Sequence, residues 1–219
     1  MDDQIAAWEH TGDRRRVFLR CYRVMTGNML TAIEEGYFRD SKWIDTLLHC
    51  FADYYFRALH CYDCGDPVTR VWKVAHQLTQ GEDLHNLQRL LLGINAHINY
   101  DLVLTLRDML QSEWSALTTE QREARYLDHC LVNQVIGASI DQVQDEILEP
   151  GDPVLAIMDR LLGRVDEYLV SRLIRKWRQE VWEQAEHFLA YPGPTNQEHL
   201  RQDLEAAVLR LGERIVQVW

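Results

Sequence analysis

Residues 90–106 read LLLGINAHINYDLVLTL, and this stretch decides the fold. At about 100° per residue, its apolar side chains fall on opposite sides of a helix and cover most of the surface between them. A helix that is apolar nearly all round must be surrounded by other helices. The stretch therefore predicts a buried central helix, spanning about residues 82–115.

The rest of the chain has the same helical periodicity, and alternation typical of strands is scarce. Glycine and proline breaks at Gly36, 65–67, 150–153 and 191–194 divide it into segments joined by short connections. Such a pattern predicts an all-α fold: one domain, residues 1–219, forming a bundle of about seven to eight helices around the central one. We expect residues 1–12 to be loosely ordered and residues 195–219 to form a C-terminal helix.

Composition narrows the classes of function. The 219 residues carry a net charge of −11, which disfavours nucleic acid as a partner. The N-terminus lacks the features of a secretory signal, and the apolar stretch contains His97 and Asp101, which a membrane span would rarely tolerate. We therefore expect a cytoplasmic protein without a membrane span. Cys61 and Cys64 form a lone C-x-x-C without the second pair that a zinc knuckle needs, so we assign them no role.

The central helix carries an unusual polar cluster: Asn95, His97, Asn99 and Asp101. His97 and Asp101 stand at positions i and i+4, side by side on one face. Buried polar groups need partners or they destabilise the fold, so the cluster predicts either a hydrogen-bonded structural pair or a functional site. In the second interpretation, the imidazole and the carboxylate converge on a metal ion.

Other helices offer partners for this cluster. Asn133 and Asp141 lie two turns apart with Gly137 between them, which leaves a gap that could admit a ligand or ion, although a close helix crossing at Gly137 explains the pattern equally. Arg178 and Trp182, at i and i+4, suggest a guanidinium stacked on an indole for binding carboxylate or phosphate, or else an arginine that simply covers a core tryptophan. The predicted substrate-binding set is Asn133, Gln144, Arg178, Trp182 and Tyr55.

The run Leu91-Leu-Gly-Ile-Asn-Ala-His-Ile-Asn-Tyr-Asp-Leu102 resembles the signature G-[MI]-N-A-H-I-N-x-D-L of an uncharacterised bacterial family, of the domain-of-unknown-function kind. The resemblance covers about residues 15–190. It continues in Phe38-x-Asp40-x-x-Trp43, Phe51-Ala-x-x-Tyr55, Asp141-x-Val-Gln144, the segment 163–170 and Arg178-x₃-Trp182-x₂-Ala185. It implies an all-helical fold and a shared polar set, namely Asn95, His97, Asn99, Asp101, Asn133 and Asp141, but no activity.

Three functions fit these patterns. The first is a metal-dependent, hydrolase-like enzyme acting on a small organic or phosphorylated substrate, with a divalent metal (Zn, Fe, Mn or Mg) held by His97, Asp101 and Asp141, and with Asn95 and Asn99 beside the reacting groups. The second is a metal-free enzyme or binding protein for a small molecule, with His97 and Asp101 in an apolar pocket. The third is a helical interaction module whose polar core only fixes helix register.

Overall fold

The computed structural model describes residues 1–140, 142 and 165–217, and the fold of these residues is all-α, with no strand among them. The helices in chain order are α1 (Asp2–Thr11), α2 (Arg16–Glu34), α3 (Ser41–Cys64), α4 (Arg70–Thr79), α5 (Asn86–Ala96), a π-helical turn (His97–Leu102), α6 (Val103–Gln111), α7 (Thr119–Ala138), α8 (Val165–Ala190) and α9 (Pro194–Gln217). The predicted break at residues 150–153 lies outside the described residues.

The central helix consists of α5, the π-helical turn and α6, which follow one another without a break over residues 86–111. It packs against α2, α3, α4, α8 and α9, as its apolar surface predicts. Leu106 and Leu110 are fully buried at its C-terminal end. The helix is shorter than the predicted span of 82–115, because the residues before it form a cap in which the Gln88 side chain accepts a hydrogen bond from the His85 backbone nitrogen.

The N-terminus differs from the prediction that residues 1–12 are loosely ordered. Residues 2–11 form α1, which ends at Gly12 in the left-handed conformation. Ile5 and Trp8 lie on one face of this helix and are buried in the core. The order comes from that tertiary packing, which stabilises a helix too short to persist by itself.

Gly93 marks the closest approach between the central helix and α2. A Cβ atom added there would lie 2.4 Å from the ring of Phe18, well inside van der Waals contact. We expect Gly93→Ala to lower the free energy of unfolding by about 2 kcal/mol despite its better helix propensity, because the core is overpacked. Gly27→Ala is the matched control: it also lies in a helix, but nothing lies within 4 Å of its added Cβ. Urea denaturation of the two variants should give shifts of opposite sign, and a stabilised Gly93→Ala would contradict the packing at α2.

Candidate functional site

The π-helical turn places the candidate site in the middle of the central helix. Such turns carry one extra residue, disturb the regular backbone hydrogen bonds and occur frequently at functional sites. Here the Thr105 hydroxyl donates to the Asp101 carbonyl oxygen at 2.8 Å, which satisfies a buried backbone group. The turn begins at His97 and contains Asp101, the two residues singled out by the sequence.

His97, Asp101 and Trp72 form a buried chain of hydrogen bonds. The His97 Nδ1 atom lies 3.1 Å from Asp101 Oδ2, and Trp72 Nε1 donates to the same oxygen at 2.9 Å. His97 is 3% exposed, and Asp101 and Trp72 are each 1% exposed. Trp72 comes from α4, so the chain also ties α4 to the central helix.

Burial keeps both members of the pair from ionising easily. It lowers the pKa of His97 well below its ordinary value. It raises the pKa of Asp101 well above its ordinary value, which the hydrogen bond from Trp72 opposes. An ionised Asp101 accepts the proton of His97 Nδ1 and leaves Nε2 as an acceptor, whereas a protonated Asp101 donates to Nδ1 and leaves Nε2 as a donor. In both states Nε2 is the ring nitrogen without a hydrogen bond to the described residues.

Aromatic rings enclose the imidazole of His97. Phe51 stacks on it with the ring centroids 3.6 Å apart and the planes within 6° of parallel. Tyr22 approaches edge-on at 4.7 Å, and Phe18 and Tyr55 do so at 5.8 Å. These contacts fix the orientation of the ring, and the Nε2 atom, although buried, has no hydrogen-bond partner among the described residues.

His97 lines a partly open cavity of about 190 Å³. Its wall comes mainly from α2, α3, the central helix and α7, and it is almost wholly apolar. Leu47, Leu48, Ile94 and Val132 are among the side chains that form it. The Tyr22 hydroxyl, on another lining residue, is likewise buried without a hydrogen-bond partner, since the nearby Thr26 hydroxyl donates to the Tyr22 carbonyl oxygen instead. A space of this kind offers an apolar molecule a fitting enclosure with few polar contacts.

Arg178 of α8 also lines the cavity and is 4% exposed. Its Nε donates to Asn133 Oδ1 at 2.9 Å, and its Nη2 donates to the His129 carbonyl oxygen at 2.8 Å. The His129 ring lies between α7 and α8, with Nε2 donating to the Arg178 carbonyl oxygen at 2.9 Å. Burial and the Arg178 cation lower the pKa of His129, so this ring is neutral.

The structure separates Asn95 and Asn99 from the His97 pair. Asn95 Nδ2 donates to the Val208 carbonyl oxygen of α9 at 2.9 Å, and Asn99 Nδ2 donates to Asn95 Oδ1 at 3.0 Å. Neither asparagine lines the cavity. Two residues along a helix correspond to about 200°, so Asn95 points away from His97 and holds α9 to the central helix.

The other predicted site residues fall into three groups. Asn133 and Tyr55 contact cavity-lining residues, Arg178 and His97 respectively, without lining the cavity themselves. Trp182 packs on the His129 ring at 5.2 Å between centroids and does not line the cavity either. Asp141 and Gln144 lie outside the described residues. A Cβ added at Gly137 would lie 3.8 Å from Ser171 Oγ of α8, so the two helices pass close to each other there. The ligand gap between Asn133 and Asp141 stays a prediction, because Asp141 is outside the described residues.

The sequence analysis missed Trp72, His129 and Cys21. Trp72 is 29 residues from Asp101 in the chain, and its apolar helix face looks like ordinary core. His129 was not predicted as a site residue. Cys21 lines the cavity, and burial raises the pKa of its thiol to about 12. Only the high aromatic content of α2 to α4 signalled a buried cluster there.

The proposed metal set is incomplete in the part of the chain that the structure describes. His97 and Asp101 are adjacent, but no three His, Cys, Asp or Glu side chains within that part are grouped so as to hold a metal ion. The third predicted ligand, Asp141, is not among the described residues. All five cysteines are free thiols, and Cys64 of the C-x-x-C is exposed.

The fold and the site define a class: an all-helical bundle with a buried His–Asp pair facing an apolar cavity. The chain belongs to the family of unknown function DUF5995, whose match covers residues 1–218. The resemblance found from the central motif is thus confirmed at the level of an uncharacterised family. No curated protein and no solved structure matches the chain. Of the helices in the described ranges, none has the length and apolar character needed to cross a membrane.

Proposed function

We propose that this protein binds a small, largely apolar organic molecule inside its helical bundle and holds one polar group of that molecule at His97 Nε2. The observation that carries the proposal is a buried Nε2, without a hydrogen-bond partner in residues 1–140, 142 and 165–217, on a residue that lines an apolar cavity. An unsatisfied buried polar atom costs about 1–3 kcal/mol, and a ligand hydroxyl or carbonyl would remove that cost.

The cavity volume limits the size of the ligand. A dry protein cavity of about 150 Å³ lined by aliphatic and aromatic side chains is large enough for benzene. The cavity here, at about 190 Å³, accommodates a substituted single ring or a short branched chain. Its size favours a small molecule over a peptide, whose backbone groups would find few partners in this wall.

The surroundings of His97 favour the binding of a ligand. The reaction that they could support is proton transfer between Nε2 and the bound molecule. Asp101 orients the imidazole, so Nε2 can accept or donate one proton at the bound molecule. Cys21 is a poor nucleophile here, because the raised pKa of its thiol keeps it protonated at neutral pH. The metal-dependent alternative depends on Asp141, and its two adjacent ligands, His97 and Asp101, are hydrogen-bonded to each other.

The test is binding of two ring probes, ethylphenol and ethylbenzene, to the native protein and to His97→Phe. The variant keeps an aromatic ring on Phe51 but removes Nε2. We expect ethylphenol affinity to fall about 5- to 100-fold, because its hydroxyl is then buried without a partner, and ethylbenzene affinity to change less than about 3-fold. Titration followed by NMR or by thermal shift measures both.

His76→Phe is the matched control, since it makes the same substitution at a buried histidine that does not line the cavity. Its affinities for both probes should equal those of the native protein. Val132→Trp, which fills the cavity, should abolish binding of both. If neither probe binds the native protein, or if both bind Val132→Trp unchanged, the cavity is not the site and the proposal is wrong.

A further inference from the structure

Arg178 is a buried cation whose hydrogen-bond partners are all uncharged. They are the Asn133 side-chain oxygen, the His129 carbonyl oxygen and the His129 ring, whose Nδ1 lies 3.3 Å from Arg178 Nη2. The second terminal nitrogen of the guanidinium, Nη1, has no hydrogen bond to any described residue. The positive charge therefore lies at the wall of an apolar cavity. The Nη1 edge of its planar guanidinium makes no hydrogen bond to a described residue.

Two partly shielded arginines of this protein have carboxylate partners, whereas the buried Arg89 donates to the carbonyl oxygens of Thr79 and Gly81 and to Asn86 Oδ1. Arg15 pairs with Asp13 and Asp63, each at 2.6 Å. Arg125 pairs with Asp40 and, at 3.3 Å, with Glu113. For Arg178, by contrast, no ion pair forms within the part of the chain that the structure covers. A buried charge without a counter-charge is destabilising, so its presence beside a cavity calls for an explanation.

We propose that the ligand of this cavity is an anion, a small apolar carboxylate whose charged group pairs with Arg178 while its body, which carries the polar group held at His97 Nε2, fills the space between α2, α3 and the central helix. The inference rests on the proposed function and names its ligand class. Nη1, which has no hydrogen bond to any described residue, can donate to a carboxylate oxygen, and such a charge-assisted bond is stronger than a neutral hydrogen bond.

The electrostatics of the neighbourhood are consistent with an anion. Burial lowers the pKa of Arg178 to about 10, which still leaves it protonated at neutral pH. Its nearest titratable neighbour, His129, is neutral because its own pKa is lowered. No carboxylate in the described part of the chain pairs with the cation, and Asn133 and His129 orient it without neutralising it. Ile136 and Ile174 stand beside it in the cavity wall and keep the dielectric low, which strengthens attraction to an anion.

The experiment compares phenylpropionate with its amide, a neutral molecule of the same shape. We expect the native protein to bind the carboxylate at least about 10-fold more tightly than the amide. In Arg178→Met this preference should disappear, while the affinity for the amide changes less than about 3-fold. Arg178→Lys keeps the charge and loses the fork, so it should retain a preference for the carboxylate at reduced affinity.

A second measurement needs no variant and covers the case in which Arg178→Met fails to fold. Calorimetric titration of the native protein with phenylpropionate at pH 7, in two buffers of different ionisation enthalpy, reports the protons exchanged on binding. Binding as the anion beside Arg178 takes up no proton. Uptake of one proton per ligand would mean that the neutral acid is bound, and it would overturn the inference.

The outcomes separate the inference from the proposed function. Equal affinity for carboxylate and amide in the native protein, with ethylphenol still binding, overturns the anionic ligand and leaves the cavity as a site for neutral molecules. A carboxylate preference that persists in folded Arg178→Met also overturns it. Failure of ethylphenol, the amide and the carboxylate alike overturns the proposed function itself.

Discussion

Acidification from pH 7 to pH 5 is expected to lower the free energy of unfolding by about 4 kcal/mol. His76, His97 and His129 are buried, and their pKa values are lowered, that of His76 to about 3. Below about pH 6.5 the unfolded chain binds these protons and the folded protein does not, so stability falls as the pH falls. Asp101 acts in the opposite direction, because its raised pKa lets the folded state hold a proton that the unfolded state has lost.

The unfolded chain binds up to three more protons at the histidines, and the folded protein binds one more at Asp101. The net difference is about two protons, and each changes the free energy of unfolding by about 1.4 kcal/mol per pH unit. Since small domains are stable by only about 5–15 kcal/mol, the protein should lose much of its stability between pH 6.5 and pH 5. Urea denaturation followed by circular dichroism at half-unit pH steps measures this slope.

His76→Phe isolates one of these protons. The ring of His76 stacks on Trp72 at 5.1 Å, and its Nε2 is buried without a partner, so phenylalanine preserves the packing and removes the titrating group. We expect the pH slope to fall by about half and the stability at pH 7 to rise by about 1 kcal/mol. His10→Gln, on the exposed surface of α1, controls for loss of a histidine. An unchanged slope in His76→Phe would show that this ring is not held neutral by the fold.

The sequence predicted the parts of the site that depend on local geometry. An i, i+4 spacing on an apolar helix brings His97 and Asp101 together whatever the rest of the chain does, and the structure shows them hydrogen-bonded. The burial of the central helix could also be predicted, because apolar side chains cover nearly all of its surface. The π-helical turn was not predicted, because it depends on packing around the helix and leaves no trace in the periodicity.

The parts of the site that depend on contacts between helices far apart in the sequence could not be predicted. The sequence left open whether Arg178 stacks on Trp182 or only covers a core tryptophan. In the structure its guanidinium turns to α7, where His129 and Asn133 provide acceptors. Trp72 belongs to the site only because α4 packs beside the π-helical turn. Buried amides need hydrogen-bond partners, and both asparagines have one. Asn99 donates to Asn95, and Asn95 donates to the Val208 carbonyl oxygen of α9, a contact that the sequence could not show.

Asp101→Ala should lower the free energy of unfolding by about 2–5 kcal/mol. The Asp101 Oδ2 atom is the only acceptor that the described structure gives to Trp72 Nε1, and it is also the partner of His97 Nδ1. Truncation leaves two buried polar groups unsatisfied, each costing about 1–3 kcal/mol, and opens a small void in the core. Urea denaturation at pH 7 measures the loss.

Asp101→Asn distinguishes hydrogen bonding from charge at this position. An amide oxygen placed where Oδ2 stands still accepts from Trp72 and from His97 Nδ1, so the chain stays intact, and we expect stability within about 1 kcal/mol of the native protein. A double-mutant cycle between Asp101→Ala and Trp72→Phe should give a coupling energy of about 1 kcal/mol or more. If Asp101→Asn is as unstable as Asp101→Ala, the carboxyl acts through its charge. That result would mean an ionised Asp101 beside the cavity, where it would oppose the binding of an anion at Arg178.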